Sequence, residues 1–160
     1  MQVIRQGPVG KDKPKQGGVD LINGNTRHDS YGTPLVSLVN GTIQYFDSGD
    51  KQNSYGFYAK IKFEKDGVAY EMIYAHMVRP SNSVELINQG IKQIKAGEVV
   101  GSMGNTGDCR SRVGGKYASS QFINEEERKD KWGTHLHWEI RKYNTDTKAY
   151  DQFDPMTFKF

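Results

Sequence analysis

The chain has 160 residues, 35% of them hydrophobic, which is the size of one domain around one core. Its formal charge of +3, from 22 basic and 19 acidic residues, singles out no acidic polymer, and no aromatic-basic repeat or recognition helix of the kind that reads nucleic-acid bases is visible. A single cysteine, Cys109, excludes an intramolecular disulfide framework and a zinc site built from cysteine pairs, and no apolar run approaches the ~18 residues of a membrane span.

The start, "MQVIRQGPVGKDKPKQ", lacks the apolar stretch of a signal peptide, so export is expected to be arranged in a longer or processed protein. The first nineteen residues, rich in Gly, Pro and Lys without a period, read as an arm, with order beginning near Val19. Eighteen glycines, nine tyrosines and seven phenylalanines spread along the chain favour short strands and tight turns.

In chain order, "PLVSLVNGTIQYF" (34–46) is two apolar runs joined by Asn40-Gly41, which predicts a hairpin. "GFYAKIKF" alternates, with Phe57, Ala59, Ile61 and Phe63 on one face. Asp66-Gly67 turns the chain, and "VAYEMIYAHM" (68–77) returns with Tyr70, Met72, Tyr74 and His76 expected on one side. "IKAGEVVGSMGNTG" (94–107) is a short strand punctuated by glycines. In the polar insert that follows, "NEEERKDKW" predicts about two helical turns capped by Asn124, with glutamates at the positive end and Arg128, Lys129 and Lys131 at the negative end.

The next strand, "THLHWEIRKY", carries the chemistry. Alternation places Leu136, Trp138 and Ile140 on the core face and His135, His137, Glu139 and Arg141 on the other. A single histidine there would read as a half-exposed strand residue with no task. Two imidazoles side by side would repel if both were charged, whereas neutral imidazole is a common zinc ligand, so spacing leaves a solvated pair and a metal or acid-base site both open.

The segments "GGVDL", "GTPLVSLVNGTI", "YAHM", "IKAGEVVGSMGNTG" and "GTHLHWEIR", in that order from about Gln16 to Pro155, closely resemble the lysostaphin-like, or LytM-type, zinc endopeptidases that cut peptidoglycan peptides. The resemblance implies a mostly β, single antiparallel domain of the lysostaphin/LytM type (duplicated hybrid motif) with an open groove, spanning 16–160 behind an arm at 1–15. It implies Zn2+ as cofactor, with Asp20 and His137 as ligands and His76 and His135 as the two catalytic histidines that do not bind metal. Peptidoglycan peptides would be the partner, with a secreted, phage-borne or cell-envelope location.

The sequence departs from the family at the first position of H-x-x-x-D, where Gln16 stands, a weak or lost ligand because an amide oxygen is a neutral donor for an ion that prefers imidazole, thiolate or carboxylate. Three outcomes compete: Gln16 coordinates weakly, His28 in "INGNTRHDS" supplies the imidazole, or the domain binds no zinc and serves as a regulatory, wall-binding or structural module. Tyr74 is a candidate oxyanion donor, with a locally bonded buried tyrosine as the plainer reading, and Glu139 a candidate acceptor behind an imidazole, with a cross-strand ion pair as its plainer reading. Asp29 and Asp108 read as turn residues. The 108–131 insert is either a groove wall or a tolerated surface loop. A third class, the sugar phosphotransferase carriers, shares the turn-rich pattern but fits H-x-H-x-E and "YAH" poorly.

Overall fold

A computed structural model describes residues 1–6, 18–110 and 122–160. Gln16 and residues 111–121 of the 108–131 insert lie outside the described residues. The strands are β1 (Gln2–Gln6), β2 (Val19–Ile22), β3 (Pro34–Val36), β4 (Gly41–Asp47), β5 (Phe57–Lys65), β6 (Val68–Met77), β7 (Lys92–Ile94), β8 (Val99–Ser102), β9 (Leu136–Asn144) and β10 (Ala149–Phe153). Two short helices, α1 (Ser83–Asn88) and α2 (Glu125–Lys129), interrupt them. The domain is mostly β and antiparallel. One open sheet runs in the order β1-β2-β9-β6-β5-β4-β7, with β10 also on β9, and β3 pairs β8 in a separate two-stranded sheet.

The β5–β6 hairpin forms where expected. Asp66 and Gly67 take φ of 51° and 75°, the left-handed pair that lets a tight turn match the twist of its strands. Phe57, Ala59, Ile61 and Phe63 enter the core, opposite Met72 and Tyr74 of β6 and beside Leu136, Trp138 and Ile140 of β9. At α2, Asn124 accepts from the Glu127 N–H and the Glu127 carboxylate accepts from the Asn124 N–H, closing a capping box.

Two expectations are corrected. The 34–46 segment is not a hairpin: β3 pairs β8, while β4 lies between β5 and β7. Instead of closing a turn, Asn40 accepts from the Ala96 N–H with its side chain. The opening residues are not wholly an arm either, because β1 adds antiparallel to β2, with Val3 opposite Leu21 and Arg5 opposite Asp20. β7, β10 and α1 are further elements that hydropathy patterning did not mark.

Candidate active site

Strand pairing assembles the site. β2 lies against the start of β9 with Asp20 directly opposite His137, and β6 lies on the other edge with Ala75 opposite His137. His135, just before β9, is held by a bridge to Gly104, its N–H donating to the Gly104 carbonyl.

His76 reaches the same place by a break in alternation. Regular pleating would send it to the core face with Tyr74. Its φ is 60°, and the β5–β6 register shifts between Phe57 and Ala59, so its ring turns to within 4.7 Å of the His135 ring and 6.0 Å of the His137 ring, centroid to centroid. A bulky residue in the left-handed region is a strained backbone that the surroundings must hold. Here His76 N–H donates to the Tyr55 carbonyl, and Nδ1–H donates to the Thr106 carbonyl at 2.8 Å.

The three imidazoles are not all in the same state. With Nδ1 of His76 committed to Thr106 and Nδ1 of His135 donating to the Gly133 carbonyl at 2.7 Å, Nε2 is the free lone pair on each. Burial pushes the His76 pKa well below its usual value, assisted by the neighbouring imidazoles. Burial also lowers that of His135, with the Arg27 charge acting in the same sense and Asp20 opposing. Both rings are therefore neutral bases.

His137 is the opposite case. Its Nδ1 lies 2.9 Å from Asp20 Oδ1 and its Nε2 lies 2.8 Å from Glu139 Oε1. Burial opposes the charged form, but the bonds to Asp20 and Glu139 outweigh it and raise the pKa to about 9. Asp20, despite its burial, is held far below the usual carboxylate range by the His137 bond and the surrounding imidazoles.

Glu139 is fixed from four directions. Besides His137, it accepts from Tyr55 Oη at 2.5 Å, from Arg141 Nε at 2.9 Å and from Gln152 Nε2 at 2.8 Å. The Tyr55 ring also stacks on His137, centroids 5.9 Å apart. Gly18 completes the enclosure, because a methyl group there would overlap His137 Cε1.

This arrangement tests the cation chemistry that H-x-x-x-D and H-x-H imply. A histidine that ligates metal through one nitrogen characteristically donates from the other to a carboxylate, and His137 has that second partner in Glu139. Once Nε2 carries its proton, the Nδ1 lone pair faces the Asp20 carboxylate across 2.9 Å, a repulsive pair unless a positive species lies between them. A proton satisfies it, and so does a divalent cation. The donors at Asp20 and His137 fit zinc, but among the described residues no group of three His, Cys, Asp or Glu side chains makes a metal cage.

Asp20, His76, His135, His137 and Glu139 thus come together, and Tyr74 does not. The Tyr74 hydroxyl donates to the Val36 carbonyl at 3.0 Å, and its ring lies in the core, where burial raises its pKa. His28 is exposed at the start of a 3-10 turn, His28–Ser30, whose preceding residue Arg27 points to the cluster instead, Nη1 lying 3.5 Å from His135 Nδ1. Asp29 accepts from Thr26 Oγ1, and Asp108 from the Asn53 N–H, as turn residues do. Sequence reasoning missed Tyr55 and Arg27. Both come from loops without periodicity.

The model of Peptidase family M23 matches residues 22–151, a span that includes His76, His135, His137 and Glu139. The chain belongs to peptidase family M23. Among solved structures, the M23 chain is similar to the catalytic domain of the antimicrobial peptidase lysostaphin from Staphylococcus simulans, crystallized in the absence of phosphate. Identity is 19% over 98% of this chain and 87% of that one, with a TM-score of 0.49. No curated protein matches.

Proposed function

We propose that this M23 domain is a zinc-dependent endopeptidase that hydrolyses peptide bonds of peptidoglycan cross-links, at the cell surface or in the envelope. The observation that supports the reading is the Asp20–His137–Glu139 line, in which a carboxylate and an imidazole nitrogen face each other across a position that a proton or a divalent cation can take, next to two neutral histidines.

Asp20 and His137 Nδ1 would hold the metal, with Gln16 at the third position in the family's register. When bound, zinc supplies Lewis acidity that polarises the scissile carbonyl and acidifies water. The protein's own groups do the rest. His76 and His135 each present Nε2 as the proton acceptor, because Nδ1–H is tied to a backbone carbonyl, so one takes the proton of the attacking water and returns it to the leaving amine. Charged by that proton, the imidazolium sits 3.7 Å from Asp20 Oδ1 in the case of His135, which stabilises it electrostatically.

The test is a zinc titration and cell-wall digestion of the protein beside Gln16→His. Stoichiometric zinc with wall cleavage supports the peptidase, and the variant is expected to bind zinc at least tenfold more tightly, as a neutral amide gives way to imidazole. No zinc binding and no cleavage by either protein would sink the reading in favour of a regulatory or wall-binding module.

A further inference from the structure

Among the described residues, Arg27 is the one charged group beside the histidine cluster to which the chemistry above gives no role. It precedes the 3-10 turn His28–Ser30 in a loop built to hold its place. Ser30, fully buried, donates its hydroxyl to the carbonyls of Asn23 and Thr26 and accepts from the Asn23 N–H. The Arg27 carbonyl accepts from the Ser30 N–H, and the far end of the loop is pinned where Gly32 N–H donates to the Met103 carbonyl and Met103 N–H to the Thr33 carbonyl.

The loop so fixed brings the guanidinium against the Nδ1 edge of His135, 3.5 Å away. This contact satisfies neither group, since the Nδ1–H already donates to Gly133. Among the described residues no carboxylate lies within ion-pair distance of Arg27. Asp29, its nearest acidic neighbour in sequence, is occupied by Thr26, and Asp20 faces the opposite, Nε2 edge of the same ring. Lys131, over the Tyr31 ring from the turn before His135, adds a second positive charge on the side of the same loop. A partly buried guanidinium offers five donors in a planar fork, and a carboxylate is the acceptor that matches it bidentately.

We propose that Arg27 anchors a carboxylate of the substrate, so that the site selects peptides carrying a free carboxylate beside the scissile bond, as a diamino-acid cross-link does, over neutral ones such as a glycine bridge. The inference rests on the peptidase reading and names its substrate class. His135 lies between the two anchoring features: its Nε2 edge faces Asp20 and the reacting atoms, and its Nδ1 edge faces the subsite of Arg27. The carboxylate and the bond to be cut are therefore held about one imidazole apart.

The experiment uses the zinc-loaded full chain and two synthetic cross-linked stem peptides that differ only in having that carboxylate free or converted to the amide. The ratio of kcat/KM, acid over amide, is expected to be roughly ten to a hundred for the wild type, the worth of one charge-assisted bond. It should collapse toward one in Arg27→Gln and recover only in part in Arg27→Lys, which cannot bond bidentately. Equal rates on the two peptides by the wild type, a comparison that does not depend on any variant folding, would overturn the proposal, as would an Arg27→Gln enzyme that keeps the ratio. If the protein cleaves neither peptide, the peptidase reading fails separately. The same pair is then titrated calorimetrically into the wild type, where tighter binding of the acid supports the anchor and equal or absent binding overturns it.

Discussion

Tyr55 shows how a residue far in sequence sets the state of the site. Its hydroxyl donates to Glu139 at 2.5 Å and accepts from Arg141 Nη2 at 3.0 Å, while its ring covers His137. Burial, and then the Glu139 charge, pushes its pKa up, so it remains a donor across the working range. Tyr55→Phe keeps the ring and removes one bond to a charged acceptor, which should lower stability by about 1.5–3 kcal/mol in a denaturant melt. Gly18→Ala is the complementary change. Its methyl would overlap the His137 ring, so a cost of about 1–3 kcal/mol is expected and, on the zinc reading proposed above, a loss of zinc affinity, both readable in one metal titration with a thermal melt. Unaltered metal binding by the Gly18→Ala variant would show that His137 has room to move. His135 and His137 were legible in the sequence because period 2 puts both on one strand face. Tyr55 and Arg27 were not, because a loop residue's direction follows from contacts that no local pattern encodes.

Among the elements, the segment that reads "GNTG" acts as the brace of the site. The Gly104 carbonyl takes the His135 N–H, and Asn105 Nδ2 donates to the carbonyls of Arg128 and Trp132, fixing the approach to β9. Thr106 donates its hydroxyl to the Met77 carbonyl at 2.6 Å, accepts from the Phe57 N–H at 2.9 Å, and offers its own carbonyl to His76. Thr106→Val preserves shape but strands a buried N–H and a buried carbonyl. A loss of about 1–3 kcal/mol per stranded group is expected, and peptidase activity should fall with it, because the brace holds His76 in its strained conformation. Unchanged melting and unchanged turnover in this variant would remove the brace from the account. The β5–β6 hairpin and α2 could be read from sequence because each is specified locally, by Asp66-Gly67 and by the Asn124–Glu127 box. β3 could not, since its partner β8 lies some sixty residues away and three residues are too few to carry a period.

For the molecule as a whole, Arg79 ties the end of β4 to the loop that carries Tyr55. It pairs with Asp47 through Nε at 2.5 Å and with Asp50 through Nη1 at 3.0 Å, while Asp50 also accepts from the Gly107 N–H at 2.8 Å. The Arg79 bond holds the Asp47 pKa below its usual value, and in Asp50 the Arg79 and Gly107 bonds overcome the opposing effect of burial. A carboxylate with a depressed folded-state pKa stabilises fully above its unfolded value, near ~3.9, and the contribution disappears as pH falls through the folded value. The gap in Tm between the wild type and Asp50→Asn should therefore be constant from about pH 7 to about pH 5 and shrink below about pH 4. A gap that survives at about pH 2 would contradict the clamp. No helix among the described residues is long and apolar enough to cross a membrane.

The left-handed backbone at His76 also filters which descendants of this chain are accessible. Glycine takes that conformation freely and asparagine or aspartate with modest strain, whereas most other replacements add a backbone penalty to the loss of the imidazole. Asp20, His135 and His137 have no such positive φ, so drift there meets no comparable barrier. On the peptidase reading proposed above, a lineage abandoning hydrolysis would accordingly change Asp20, His135 and His137 to many residue types but pass through a narrow gate at position 76.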